Sequence, residues 1–193
     1  MVDFSSREDN GYKYVLHAKD HFTRFSWGYP TKTKSSKEIA NHLFDLFMIF
    51  GAPTILQSDN GKEFKSKDII IELKNLWPNM KIINGRPRHP QSQGSVERGN
   101  QTLKYKLSAW MQDNNRSDWT FGLKFVIHSM NTSESGATKY TPYNMVFGTK
   151  HKENSIVLNT LFSEGIIDEE NIPDDVIIQD NGKFLFENYI IIF

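Results

Sequence analysis

The sequence contains no cysteine among its 193 residues. This absence excludes a disulfide framework, a cysteine nucleophile and any zinc site that uses thiolate ligands. Runs of the roughly 20 apolar residues that a membrane-spanning helix needs are also missing, so we expect no membrane partner. The polar start does not have the pattern of a signal peptide. With 38% hydrophobic and 24% charged residues, the composition is that of a folded globular domain.

Neither sign of charge is in excess, since 23 Lys and Arg residues balance 23 Asp and Glu residues. The balance conceals two regions of opposite sign. Residues 151–193 hold two basic and nine acidic residues, which leaves 21 basic and 14 acidic residues in 1–150. A basic body favours a polyanionic partner such as a nucleic acid, although surface charge also drifts along chains without functional meaning.

Hydrophobic patterns predict an α/β fold in which a mixed sheet is flanked by helices. Aromatic residues in partial alternation predict a β-hairpin. An apolar stripe behind Ser35 or Ser36 predicts the first helix, which Gly51 and Pro53 end. The predicted strands cover residues 2–5, 11–17, 22–29, 54–58 and 80–84, and the predicted helices cover residues 36–50, 66–77, 95–112 and 117–131.

These elements assign residues 1–150 to one domain and residues 151–193 to an acidic extension. The extension is expected to contain two strands around Asp180-Asn181-Gly182. Only two residues precede Asp3, whereas a strand usually needs about five or six. We therefore expect the first strand, and the chain itself, to be cut short.

Three carboxylates stand where predicted elements begin or end. Asp3 lies in the first strand, Asp59 follows the strand over 54–58, and Glu97 lies in the first turn of the long helix. Convergent carboxylates are the ligands that Mg²⁺ takes together with substrate phosphates, and a pair of such ions assists phosphoryl transfer. From spacing alone, Asp59 is equally a turn residue and Glu97 equally a favourable anion at a helix start.

Four segments in order resemble the catalytic core of retroviral and gypsy-type retrotransposon integrases. The match covers about residues 1–150 and does not depend on one motif. The segments are residues 2–4 (VDF), 14–30 (YVLHAKDHFTRFSWGYP), 57–64 with 89–104 (QSDNGKEF and HPQSQGSVERGNQTLK), and 141–148 (TPYNMVFG).

The resemblance implies an RNase H-like fold, with a mixed five-stranded sheet and an Asp-Asp-Glu triad that binds two Mg²⁺ or Mn²⁺ ions. Asp3, Asp59 and Glu97 correspond to the triad. Asp20 is a rival for the first position, but in the family the catalytic residue precedes the hairpin. The implied activity is DNA integration by metal-dependent phosphoryl transfer, which comprises 3′-end processing and strand transfer. Element ends and target DNA are the implied partners, the expected assembly is a homodimer or larger, and the expected location is the nucleus.

Residues near the triad suit DNA contact. Glu97, Asn100, Gln101 and Lys104 share one helix face because they follow i, i+3, i+4 and i+7 spacing. Residues 85–94 resemble the family's mobile active-site loop, and for His89 in this loop we favour a role other than general base. The predicted DNA-contacting residues are Asn60, Arg86, Arg88, Gln93, Asn100, Gln101 and Lys104.

Two hypotheses from different classes follow. The first is an active polynucleotidyl transfer enzyme, which the complete triad favours. The second is a catalytically silent nucleic-acid-binding or scaffold protein derived from a transposable element. The short first strand favours the second, as does the absence of the cysteines that a family-type zinc domain requires.

Overall fold

The computed structural model describes residues 1–58, 67–84, 90–136, 138–149, 151 and 190–192. For residues 67–70, 72, 84, 90–96 and 190–192 it describes the backbone alone. In chain order the elements are β1 (Val2–Asp3), a 3₁₀ helix (Ser5–Arg7), β2 (Tyr14–Asp20), β3 (Ser26–Thr31), α1 (Ser36–Phe50), β4 (Ile55–Ser58), α2 (Lys67–Leu76), β5 (Lys81–Asn84), α3 (Pro90–Asp113), α4 (Trp119–Thr132), α5 (Pro142–Phe147) and β6 (Ile190–Ile192).

The chain forms two compact units. The first unit comprises Met1–Met130 together with Asn188–Phe193, and the second comprises Asn131–Glu187. In the second unit, α5 begins at a Thr141 cap whose hydroxyl accepts from the Asn144 N–H at 3.0 Å. Because residues 152–189 lie outside the described part of the chain, the predicted domain boundary at residue 150 stays a prediction.

The first unit is built on a mixed sheet, as the sequence predicts. β2 pairs antiparallel with β1 and β3, and β4 pairs parallel with β5. The predicted hairpin is β2 with β3, and its turn follows Asp20.

β6 joins the two parts of this sheet. It runs antiparallel to β2 on one side and parallel to β4 on the other. β1 pairs with Tyr14 and Val15 of β2, while β6 pairs with Lys19 and Asp20 on the far part of the same strand. Among the described residues the sheet therefore has six strands, whereas the sequence predicts five. The physical reason is that β1 covers only part of β2, so the backbone groups of β2 and β4 remain open to a further strand.

α1 forms as its sequence pattern predicts. The Ser35 hydroxyl accepts from the Glu38 N–H at 3.3 Å, and Gly51 ends the helix with a positive φ of 83°. The buried face, which contacts α2 and β3, consists of Ile39, Ala40, Leu43, Leu46 and Phe47.

α3 and α4 cover β1 and β2 through one apolar cluster. Its buried members are Val2, Phe4, Val15, Leu103, Leu107, Met111, Trp119, Leu123 and Val126. The ring of Trp119 stacks on Phe4 at a centroid distance of 4.9 Å, and its Nε1 donates to the Arg7 carbonyl at 2.7 Å. These contacts anchor the residues that follow β1 to the start of α4.

α3 begins earlier than predicted. The sequence predicts a loop over 85–94 and a helix from Ser95, but the structure has a helix from Pro90. Proline is favoured at a first helical position because its missing N–H is not needed there. The helix therefore includes Gln93 and Glu97 along one continuous backbone. Among the described helices, none is long and apolar enough to cross a membrane.

Candidate DNA and metal site

The candidate site is centred on the exposed side of α3. Glu97, Gln101 and Lys104 are exposed, and Asn100 is half-buried. Within the described part of the chain, the Glu97 carboxylate forms no hydrogen bond or ion pair. An unpaired, solvated carboxylate remains available to bind a cation. The helix face that the spacing predicts is therefore present, but Asn100 is less exposed than the other three residues.

The side chain of Asn100 forms a hydrogen bond with a buried histidine of the sheet. Asn100 Oδ1 lies 2.9 Å from His17 Nδ1. His17 occupies the centre of β2 and is only 4% exposed. No local sequence pattern indicates this contact, because the two residues are 83 positions apart. Desolvation lowers the pKa of His17 to about 4, and the positive charge of Lys19 acts in the same direction, while the bond to Asn100 opposes them.

Acidification is expected to destabilise the fold through His17. In the unfolded chain the imidazole takes up its proton near pH 6.5, whereas in the folded chain it stays neutral until about pH 4. Protons therefore favour the unfolded state across this window, and stability falls as the pH drops from 6.5 to 4. The expected loss is about 3 kcal/mol, which corresponds to the separation of the two pKa values.

The measurement is urea denaturation of the wild type and of His17→Leu at several pH values in this window. Carboxylates titrate in both proteins, so the difference between the two pH profiles isolates the histidine. Parallel profiles would contradict the prediction.

α3 runs opposite to β2. Asn100 contacts His17, whereas the ammonium of Lys104 lies 5.9 Å from the ring centroid of Phe4, near the start of β2. Higher residue numbers on α3 therefore match lower numbers on β2. Glu97, which precedes Asn100, lies toward the Asp20 end of the strand.

Asp3 lies at the other end. It pairs with Tyr14, three residues and about 10 Å along the strand from His17. Its Oδ1 accepts from the Ser5 N–H at 2.9 Å and the Ser5 hydroxyl at 2.6 Å, and its Oδ2 lies 3.5 Å from Lys34 Nζ. These Ser5 bonds are the main reason that the pKa of Asp3 is lowered. Among the described residues, no hydrogen bond or ion pair joins Asp3 to Glu97, and their convergence with Asp59 stays a prediction.

The strand that leads to Asp59 ends at the level of Glu97. Gln57 of β4 pairs with Ile192, and Ile192 pairs with Lys19 of β2. The aliphatic part of Lys19 in turn lies beside Gly99 of α3, with its Cδ 3.9 Å from where a Cβ would stand on that glycine. The register thus brings the end of β4 to the same level as the turn of α3 that carries Glu97.

Asp20, the rival for the first catalytic position, is a turn residue in the structure. It is buried, and its Oδ2 accepts from the Thr23 N–H and the Thr23 hydroxyl, both at 2.6 Å. These bonds close the loop between β2 and β3.

Sequence patterns did not identify His17 and Lys19 as candidate site residues, although both lie beside α3. Partial burial lowers the pKa of Lys19, with the charge of Arg24 as a second cause. Both residues belong to a strand that reads as ordinary β-structure.

The other predicted site residues lie outside the described residues, and Gln93 is described by its backbone only. Those outside are Asp59, Asn60, Arg86, Arg88 and His89. Within the described residues, no group of three His, Asp or Glu side chains is close enough together to hold a metal ion. The predicted triad includes Asp59, so its assembly stays a prediction.

Comparison with protein families matches residues 2–90 to the integrase core domain. The human KRAB-A domain-containing protein 2 is 36% identical over 152 residues, which are 79% of this chain and 31% of that protein. The Pro-Pol polyprotein of feline foamy virus is 36% identical over 141 residues, which are 72% of this chain and 12% of the polyprotein. The chain thus spans about a third or less of the length of these relatives.

Solved structures give the same result for the fold. The catalytic core domain of BIV integrase is 26% identical with a TM-score of 0.56, over 68% of this chain and 83% of that core. The HTLV-2 integrase catalytic core, solved in complex with magnesium in a trimeric form, has a TM-score of 0.56 at 18% identity, over 67% of this chain and 90% of that core. The chain therefore carries an integrase core domain of the retroviral and retrotransposon family, with the RNase H-like fold of those catalytic cores.

Proposed function

We propose that this chain transfers phosphoryl groups in DNA, carrying out end processing and strand transfer as part of DNA integration. The observation that carries the proposal is the exposed Glu97 carboxylate on α3, which has no partner within the described residues and lies at the level where β4 ends before Asp59. Polynucleotidyl transfer is the chemistry of the integrase core family to which the chain belongs.

The proposed metal ligands are Asp59 and Glu97, with Asp3 as the third carboxylate. Mg²⁺ or Mn²⁺ suits such oxygen donors, and two ions would stabilise the attacking and leaving oxygens of an in-line displacement. The magnesium in the HTLV-2 core supports a divalent cation for a relative. Asp3 is the member whose position supports the assignment least, because its oxygens already bind Ser5 and Lys34.

The proposed DNA-binding surface runs along α3 from the metal ligands. Exposed Gln101 and Lys104 would contact phosphate oxygens, which fixes the position of the duplex without reading its sequence. The net positive charge of residues 1–150 supports attraction of the polyanion over a longer range. Asn60, Arg86, Arg88, Gln93 and Asn100 complete the proposed set.

The proposed partners are element ends and target DNA, bound by a homodimer or a larger assembly that acts in the nucleus. The trimeric form of the HTLV-2 core supports oligomerisation for a relative.

A second candidate function is a catalytically silent nucleic-acid-binding protein. The contacts of Asp3 favour it, since a third metal ligand would have to exchange its bonds to Ser5 and Lys34 for the metal ion. The 36% identity to a human protein with a KRAB-A domain also favours a copy that serves a host.

The test is strand joining on a branched DNA that mimics the integration product, with Mg²⁺, with Mn²⁺ and with a chelator. We expect joined product in the presence of either ion and none with the chelator. Folded protein that binds DNA but gives no product with either ion would overturn the enzymatic proposal and favour the silent one.

A further inference from the structure

We infer that His17 is a positioning residue that fixes the side-chain amide of Asn100 so that its NH₂ group, and not its carbonyl oxygen, is presented to DNA. The inference rests on the proposed function, because it assigns a means of orientation to one of the proposed DNA contacts.

The contact is built by the layer of α3 on β2. His17 is buried at the centre of β2, so its ring is shielded from solvent. Above it, Gly99 presents no side chain, and a Cβ at that position would stand 3.5 Å from His17 Cε1. The ring therefore lies directly against the helix, where Nδ1 meets the Oδ1 of Asn100 at 2.9 Å.

This pairing determines which amide atom faces outward. A neutral imidazole carries one N–H, and with Oδ1 against the ring that hydrogen lies on Nδ1. Among the described residues, Nε2 of His17 has no hydrogen-bond partner, so Asn100 is the described group that fixes the ring. The NH₂ group of Asn100 is then directed away from the ring, and the half-buried residue still reaches the surface.

The orientation has a consequence for recognition. Phosphate oxygens only accept hydrogen bonds, so an outward NH₂ group favours them and an outward carbonyl oxygen repels them. Free amides rotate between the two arrangements, whereas the His17 bond selects the favourable one before DNA arrives. Selection in advance lowers the entropic cost of binding. Exposed Gln101, one residue further along α3, has no described hydrogen bond of this kind.

The first test is a double-mutant cycle on DNA binding. Dissociation constants for a short duplex at fixed salt are measured for wild type, His17→Leu, Asn100→Ala and the double variant. We expect each single variant to weaken binding by about three- to tenfold, which is the size of one lost hydrogen bond of ordinary strength. The double variant is expected to bind no more weakly than Asn100→Ala, since His17 acts through Asn100. His128→Leu, an exposed histidine on α4, is the matched control and should bind as wild type does.

A second measurement needs no variant. The ¹⁵N chemical shifts of the His17 ring in the wild-type protein report which nitrogen carries the hydrogen, and we expect Nδ1. Protonated Nε2, or single-variant losses that multiply in the double variant, would overturn the inference while leaving the proposed function intact. Wild-type protein that does not bind DNA would overturn both, so the two failures are distinguishable.

Discussion

Replacing Glu97 by glutamine is expected to lower metal-dependent strand joining by at least about a hundredfold. The change removes one negative charge and keeps the length and shape of the side chain. Substitutions of groups that only support a metal ligand typically cost about 10- to 100-fold, so loss of a ligand should cost at least as much. Because Glu97 is exposed and unpaired within the described residues, the fold should not change. The measurement is the rate of joining on the branched substrate with Mg²⁺ or Mn²⁺.

Asp113→Asn is the matched control. Asp113 is also exposed and lies at the other end of α3, so the same carboxylate-to-amide change occurs far from the proposed metal site. We expect this control to join DNA at the wild-type rate. If wild type is active and Glu97→Gln retains that activity, the assignment of Glu97 as a metal ligand is incorrect. A wild type without activity, whose DNA affinity changes little on Glu97→Gln, fits the silent protein.

Replacing Trp119 by alanine is expected to lower the free energy of unfolding by about 3–5 kcal/mol. The side chain is fully buried, and its loss leaves a cavity against Phe4, on which it stacks. The Arg7 carbonyl also loses its bond from the indole N–H. Urea denaturation, with the midpoint and slope both measured, gives the change in stability.

Trp119→Phe separates the two contributions. This variant keeps most of the apolar contact with Phe4 and removes the indole N–H. We expect the lost hydrogen bond to lower the free energy of unfolding by about 1 kcal/mol, in addition to the effect of the smaller ring. Trp119→Ala within 1 kcal/mol of the wild type would show that this contact does not hold the residues after β1 on α4.

Local patterns predicted the elements whose ends are determined by neighbouring residues. The cap at Ser35 or Ser36 and the stop at Gly51 were predictable for α1 because capping needs only the adjacent backbone. The structure selects Ser35. The same reasoning misplaced the start of α3, where Pro90, Ser92 and Gly94 give the composition of a loop. A proline at the first helical position looks identical in sequence to a proline in a loop, and the surrounding structure decides between them.

The candidate site also has a part that local spacing predicts and a part that depends on packing between elements. Helical spacing alone placed Glu97, Gln101 and Lys104 on one exposed face, because that relation is contained within α3. The bond between Asn100 and His17 was not predictable, since it depends on how α3 crosses β2. The position of Asp3 depends on strand register with β2, and no pattern within residues 2–5 states that register.

The position of β6 has a consequence for the order in which the protein is made. β2 and β4 are synthesised early, but the strand that lies between them comes from residues 190–192. All residues of the second unit leave the ribosome before that strand does. The nascent chain must therefore carry two unpaired strand edges through most of its synthesis, which is the kind of exposed edge that invites aggregation. Closure of the sheet is therefore a late, long-range event in the synthesis of the chain.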